Sequence, residues 1–192
     1  MRIIRGSYRG HRIVPPGTFH LKPTTDLAKE SLFNILENNF DLEKVSVLDL
    51  FSGTGSISYE FASRGTPHIT LVEINNRHIG FIRDTLRQLN FRQVEALQGN
   101  VFPFLRHALP HSFDIIFADP PYDLPDIETL PKLVFKHNLL TPRGWFILEH
   151  PKQYHFEDHP RFRFMKKYSQ VHFSFFEEEA EDKINEDKDL TS

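Results

Sequence analysis

From Val45 onward the chain alternates between two hydrophobic periods. Short, nearly continuous apolar runs at 45–50, 69–73, 94–98, 113–118 and 145–149 predict strands. Between them, 56–64, 77–89 and 127–137 carry helical spacing, and a shorter helix is expected near Pro103. Strands apolar on both faces, alternating with helices, predict a parallel sheet covered on both sides. Ahead of this pattern, Ala28, Leu32, Ile35 and Leu36 make an apolar stripe over 26–38. Thr24 or Thr25 is placed to cap that helix, with Asp26 in its first turn. Residues 3–8 and 11–14, separated by Gly10, predict a small hairpin closed off by Pro15-Pro16-Gly17. At the other end, 161–168 and 171–176 adjoin with no helix between them. Phe162/Phe164 and Phe173/Phe175 there show period two, as in a hairpin at a sheet edge. The expected fold is α/β, a doubly wound sheet ending in a hairpin.

Composition narrows the chemistry. The 192 residues suit one domain with extensions, and 39% hydrophobic with 26% charged residues is typical of a soluble globular chain. With no cysteine, a disulfide framework, a Cys-ligated zinc site, an iron–sulfur cluster and a thiol nucleophile are all excluded. No apolar run approaches the roughly 20 residues that span a bilayer, and the N-terminus lacks the apolar stretch of a signal peptide. A cytoplasmic protein without a membrane partner is expected.

The net charge of −3 conceals an uneven distribution. Residues 177–192 hold eight acids and two lysines, a net of −6. The other residues hold 21 Lys/Arg and 18 acids, a net of +3. Arg2, Arg5, Arg9, Arg12 and Lys22 lie in an acid-free stretch, 1–22. That stretch reads either as a solubilising surface or as a phosphate-contacting patch. The expected organisation is a basic hairpin extension (1–22), a catalytic domain (23–176) and an acidic, disordered tail (177–192).

Two motifs end predicted strands. Asp49-Leu50-Phe51-Ser52-Gly53-Thr54-Gly55-Ser56 places Gly-x-Gly between a strand and a helix. Glycines there let the backbone approach a ligand, and the helix N-terminus offers free N–H donors. Ser58 stands where a dinucleotide fingerprint wants its third glycine, which disfavours NAD. Glu73 closes the next strand, where an acid can accept from a ribose diol. Asn100, after the third strand, could meet an adenine or cap the following helix. Phe51 and Phe102 could line an adenine pocket or fill space.

Asp119-Pro120-Pro121-Tyr122, at the end of the strand 113–118, is the more specific motif. An exocyclic amine on a nucleobase is a poor nucleophile because its lone pair is delocalised into the ring. The Asp119 carboxylate and the rigidly held Pro120 carbonyl can accept its hydrogens and favour a pyramidal nitrogen. A fixed negative group also stabilises the positive charge that develops as nitrogen attacks. Tyr122 offers a face on which a flipped base can stack.

The series Asp49, Gly53, Gly55, Glu73 and Asp119–Tyr122 resembles a class I S-adenosylmethionine-dependent methyltransferase of the amino-modifying type. Met1-Arg2-Ile3-Ile4-x-Gly6-x-x-Arg9-Gly10-x-x-Ile13, Lys22-Pro23-Thr24-Thr25-Asp26 and Ser174-Phe175-Phe176 are similar to the RsmD family, over about residues 1–176. The resemblance implies a Rossmann-like, mostly parallel seven-stranded sheet with a C-terminal antiparallel hairpin and a small N-terminal β-hairpin extension. It implies methyl transfer from S-adenosyl-L-methionine to the exocyclic N2 of a guanine in 16S rRNA, free or in the small ribosomal subunit. Asp49, Phe51, Gly53, Gly55, Glu73 and Asn100 would then serve the cofactor, Asp49 by orienting the loop or reaching the cofactor's amino group. Asp119, Pro120 and Tyr122 would hold the base, Asp119 bordering the cofactor as well. Arg2, Arg5, Arg9, Arg12, Lys22 and Thr24 would meet RNA. Asn100 replaces the family's common Asp, and Lys22 its usual Arg, a weaker phosphate fork. A monomer that uses no metal is expected. His150, His155 and His159 cluster in sequence, but Pro151 and Pro160 break any helix that would align them as ligands. The alternatives are transfer to adenine N6, cytosine N4 or a protein amide, and a non-catalytic RNA-binding assembly module.

Overall fold

The computed structural model describes residues 1–19, 25–168 and 171–180. Lys22, Thr24 and the tail from 181 lie outside the described residues. The elements run α1 (Asp26–Glu37), β1 (Ser46–Leu50), α2 (Ser56–Ser63), β2 (His68–Glu73), α3 (Asn76–Gln88), β3 (Val94–Gln98) and α4 (Val101–His107). They continue with β4 (Phe113–Ala118), α5 (Thr129–Lys136), β5 (Leu140–His150), β6 (Phe162–Tyr168) and β7 (Val171–Glu177). The strands form one seven-stranded sheet in the order β3-β2-β1-β4-β5-β7-β6, the doubly wound α/β arrangement with a C-terminal antiparallel hairpin. Among the described residues no helix is long and apolar enough to cross a membrane.

The chain divides into two compact units, Met1–Val101 and Phe102 onward. In the first, β1 and β3 each pair in parallel with β2, with Leu50 opposite Val72 and Glu73 opposite Gln98. These three strands therefore end together, and their following loops emerge at one edge. In the second, β4 runs parallel to β5, with Ala118 opposite Leu148.

Local chemistry explains the helix starts. The Thr25 hydroxyl accepts from Ala28 N at 3.2 Å, so Thr25 is the α1 cap. Asn75 caps α3 by accepting from Arg77 N at 2.9 Å. The α4 helix begins at Val101, two residues before Pro103, because proline is tolerated in a first turn where its missing N–H has no intrahelical partner.

Two boundaries need correction. The N-terminal segment is a short antiparallel hairpin around the Arg2–Arg12 bridge, held by Ile3 N→His11 O, Ile13 N→Met1 O and Met1 N→Ile13 O at 3.0 Å and Gly10 N→Ile3 O at 2.8 Å. Residues 5–10 are turn, with Gly6 and Gly10 at φ +83°, rather than the second half of a strand. The C-terminal hairpin lies at the sheet edge as expected, with β6 outermost and every β7 residue from Val171 to Phe176 buried. The β7 strand lies between β5 and β6, and its Phe173, Phe175 and Phe176 pack on both sheet faces. The tail boundary at 177 falls inside the fold. Glu177 is the last residue of β7 and pairs with Arg163, while Arg161 pairs with Glu178 and Glu179.

What holds the N-terminal arm is a buried charge network on α1 and α2. Glu60 is fully buried, and its carboxylate accepts from Ile4 N (2.8 Å), Arg5 N (3.0 Å) and Arg64 Nε and Nη2 (3.0 and 2.7 Å). Lys29, also buried, donates to the Arg2 carbonyl at 2.6 Å and to Ser56 Oγ at 3.2 Å, with Glu60 Oε2 at 3.8 Å. Burial pulls the Lys29 ammonium below its ordinary range, against the opposing pull of the Glu60 charge. Ser63 adds its hydroxyl to the Arg5 carbonyl at 2.6 Å and its carbonyl to Ser7 N at 2.7 Å.

Gly6 is the tightest contact of this docking. A Cβ there would lie 1.8 Å from the Ser63 carbonyl oxygen, at a φ that L side chains rarely adopt. Gly6→Ala is expected to lift the arm off α2 while the core stays folded. Trypsin cleavage after Arg9 and Arg12 should accelerate several-fold with little change in the main thermal transition; unchanged cleavage would count against this docking.

Candidate active site

The first unit presents a loop shaped by backbone strain as well as by glycine. After β1 the chain turns through Phe51 (φ 56°), Gly53 (φ 55°) and Gly55 (φ 83°). A non-glycine residue held in the left-handed region costs energy and persists only where its surroundings enforce it. Here Ser52 supplies the enforcement: its hydroxyl donates to the Asp49 carbonyl at 2.7 Å and its carbonyl accepts from Gly55 N at 2.7 Å. At Gly55 a Cβ would press on the Tyr59 ring at 2.8 Å, so the glycine is required by packing as well as by φ.

Asp49 faces inward. It is 1% exposed and accepts from Ser58 N at 3.2 Å and Ser58 Oγ at 2.6 Å, which ties β1 to the first turn of α2. Ser58, the residue that breaks the dinucleotide fingerprint, is thus what orients Asp49. Burial pushes the Asp49 carboxyl up from 3.8 to about 7, with the Ser58 hydrogen bonds opposing and the Glu73 charge reinforcing. Between those values the folded chain holds a proton that the unfolded chain has released. The stabilisation is therefore complete below about pH 4 and lost as pH rises through about 7. Asp49→Asn should remove this loss, on the order of 3 kcal/mol, so urea midpoints at pH 5 and pH 8 should differ less in the variant than in the wild type.

Glu73, 7% exposed, accepts from Gly53 N at 2.8 Å through one oxygen and from Asn75 N at 2.7 Å through the other. The acid at the end of β2 thereby sets the position of the glycine loop after β1. Each oxygen keeps a lone pair for a ligand hydroxyl. His78 Nδ1 lies 3.6 Å from Glu73 Oε1 and is a buried polar atom without a hydrogen-bond partner. Phe19 packs against the His78 ring, with centroids 4.7 Å apart. Gly99 N donates to the Glu73 carbonyl at 3.0 Å, bringing the β3 loop to the same edge, and Asn100 directly precedes α4. An acceptor pair beside an unsatisfied imidazole nitrogen and a left-handed glycine loop fits a group carrying vicinal hydroxyls.

The second unit presents the other motif. Asp119 directly follows β4, Pro120 is buried, and Tyr122 is 39% exposed. The Pro121 carbonyl, accepting from Leu124 N at 2.9 Å, closes the turn. Burial and the charges of Glu149 and Asp119 raise the Tyr122 phenol above its ordinary value, so it stays protonated at neutral pH. Glu149, 3% exposed near the end of β5, was missed from sequence. Its only sequence signal is an acid in an otherwise apolar run. Of the clustered histidines, His150 is fully buried, with its ring nitrogens on the Pro151 carbonyl (2.9 Å) and Ser174 Oγ (2.8 Å).

The arm carries its arginines outward. Arg2, Arg5, Arg9 and Arg12 are all exposed; Arg2 pairs with Asp26 at 3.2 Å and Arg5 with Glu37 at 2.8 Å. Arg2, Arg5 and Arg9 line a cavity of about 330 Å³ together with Glu30.

Comparison with known proteins bears on this arrangement. The chain is 33% identical over 149 residues to Ribosomal RNA small subunit methyltransferase D of Buchnera aphidicola subsp. Baizongia pistaciae, covering 78% of this chain and 75% of that protein. Residues 1–177 match the family described as conserved hypothetical protein 95, the RsmD family. The chain belongs to this family. Its RsmD-type fold superposes on the solved yhhF structure from Escherichia coli with a TM-score of 0.81 at 27% identity, covering 94% of this chain and 99% of that one. An RNA methyltransferase from Salinibacter ruber, solved with S-adenosyl-L-homocysteine, shares the fold at 15% identity, with a TM-score of 0.65 and coverage of 83% and 95%. The RsmD-family match includes both motifs and the arm, and it ends at Glu177, the end of β7.

Proposed function

We propose that this chain transfers a methyl group from S-adenosylmethionine to the exocyclic N2 of a guanine in 16S rRNA, in the cytoplasm. The observation that carries the reading is the contiguous Asp119-Pro120-Pro121-Tyr122 turn that follows β4, with Pro120 buried and Tyr122 exposed. An exposed aromatic three residues from a carboxylate suits a stacked base whose amine must donate its hydrogens and gain positive charge. The name of the Buchnera relative and the ligand of the Salinibacter structure support the substrate and the cofactor.

The cofactor's sulfonium would supply an electrophilic methyl group. Glu73 would accept from ribose hydroxyls, Gly53 and Gly55 would let the chain approach closely, and Asn100 and Phe51 would border the base. Asp49, turned onto Ser58, would orient the loop rather than touch the ligand. On the acceptor side, the Asp119 carboxylate and the Pro120 carbonyl would take the two amine hydrogens while Tyr122 stacks on the ring. The cofactor would give up its methyl group and keep the electron pair of the carbon–sulfur bond, while Asp119 would hold the amine through the transfer and pass the proton released from nitrogen to solvent. Alignment and electrostatic stabilisation would supply most of the acceleration.

The arm would meet phosphates through Arg2, Arg5, Arg9 and Arg12, with Lys22 and Thr24 following in sequence. Exposed ion pairs such as Arg2–Asp26 are worth little, so phosphate can replace the carboxylate. The test is transfer of labelled methyl to 16S rRNA and to small ribosomal subunits, followed by nucleoside digestion. N2-methylguanosine is expected. N6-methyladenosine, or no labelled nucleoside, would overturn the reading.

A further inference from the structure

A groove of about 510 Å³ runs along α3 and β3, and no residue of either motif lines it. Its rim carries Arg83, Arg87 and Arg92, and its floor is Leu86, Phe91 and Val94. All three arginines are exposed, and none of the described residues lining the groove is acidic. Arg83 and Arg87 are four residues apart on α3 and so share a helix face. Arg83 donates to the Ala96 carbonyl at 3.1 Å and Arg92 to Asn90 Oδ1 at 3.0 Å, contacts that orient the guanidiniums without neutralising them. Among the described residues only Arg87 of the three has a carboxylate partner, Asp84, and that pair is on the open surface. The β3 strand is the outermost in the sheet, so no further strand covers this side.

The groove is joined to the arginine-bearing arm. Tyr8 donates its hydroxyl to the Leu89 carbonyl at 2.7 Å and sets its ring edge against Phe91 at 4.9 Å. Arg9 is the next residue along the arm. A cationic surface therefore runs from the arm, past Tyr8, onto the rim of the groove, with an apolar floor beneath.

We infer that the groove between α3 and β3 is a second RNA-contacting surface that holds a strand of the same rRNA away from the reacting guanine. Guanidinium forks match phosphate oxygens, and an apolar floor between them accepts the ribose of the same strand. RNA is favoured over an acidic protein because the groove continues a surface already facing phosphate. The inference rests on the RNA-methylating reading above.

The experiment compares wild type with the triple variant R83A/R87A/R92A, and with R83K/R87K/R92K, for binding to 16S rRNA and to small ribosomal subunits from 50 to 300 mM KCl. Methyl transfer is measured in parallel. Each phosphate contact contributes about 0.7–0.9 to the slope of log affinity against log salt. The alanine variant should bind naked rRNA about tenfold more weakly near 0.1 M salt, with a slope shallower by about 2. Its rate at saturating rRNA and its cofactor affinity should match wild type, and the lysine variant should regain the slope. If the alanine variant keeps the wild-type slope while wild type methylates normally, the groove inference alone falls. The same holds if the loss appears only on assembled subunits, which would mark a protein contact. If wild type methylates neither rRNA nor subunits, the functional reading falls first and this inference with it.

Discussion

Asp119→Ala should slow methyl transfer by about a thousandfold while cofactor affinity changes less than a few-fold. The magnitude follows from what the group would do: a preorganised acceptor aimed at charge that appears only in the transition state is worth about 10²–10³ in rate. Asp119 sits immediately past β4, three residues before Tyr122, the ring on which a base would stack. The loop, Glu73 and Asp49 lie in the other compact unit and bond among themselves, so removing one carboxylate after β4 leaves them intact. Asp119→Asn should show an intermediate loss, because the amide keeps one acceptor and loses the charge. Single-turnover rates against calorimetric cofactor binding separate the outcomes. A parallel collapse of cofactor binding in the alanine variant would move Asp119 to the cofactor's side.

Glu60→Ala should produce the largest stability loss in the chain outside the apolar core, about 3–5 kcal/mol, because it strands partners rather than simply deleting a bond. Lys29 and Arg64 would lose their shared carboxylate while remaining buried, and Ile4 N and Arg5 N would lose their acceptor. Glu60→Gln keeps an acceptor and similar volume, so its cost should be smaller, with the loss of the carboxylate charge beside Lys29 accounting for what remains, since Arg64 keeps its pair with Glu37. Urea denaturation checks both variants. Equal losses for the two would show that the charge, and not the arm's hydrogen bonds, dominates. The network also explains why the arm follows α2. Lys29 bonds the Arg2 carbonyl and Ser56 at once, and Thr54 of the glycine loop contacts the Met1 sulfur at 3.7 Å. The surface that would hold RNA and the loop that would hold cofactor are therefore built on the same helix.

Much of the site was legible in the sequence because its signals are local. Gly53 and Gly55 stand out between a strand and a helix, and Asp119-Pro120-Pro121-Tyr122 is a contiguous motif. Glu73 was found because it closes a periodic run. Glu149 and His78 were missed for the opposite reason: each becomes notable only through a neighbour far along the chain or around a turn. The sequence leaves Asp49 either orienting the loop or reaching the cofactor's amino group, and the fold turns it onto Ser58 nine residues away. Phe51 carried no sign of its left-handed backbone, since nothing in a phenylalanine requests it.

The sequence by itself determined the strands, the helices and the edge at which the loops would emerge, because apolar period and turn chemistry act over a few residues. Tertiary structure alone decided that the N-terminal hairpin pairs over only a few residues and docks on α2. Glu60, more than fifty residues away, takes the N–H groups of Ile4 and Arg5 just past that pairing. It also decided that β7 is interior, and that the acidic tail begins only after Glu177–Glu179 have paired with Arg161 and Arg163. Charge that reads as solvated along the chain is bound in the fold, because the cations that meet it come from a neighbouring strand. That pairing depends on sheet register, which no local stretch of sequence encodes.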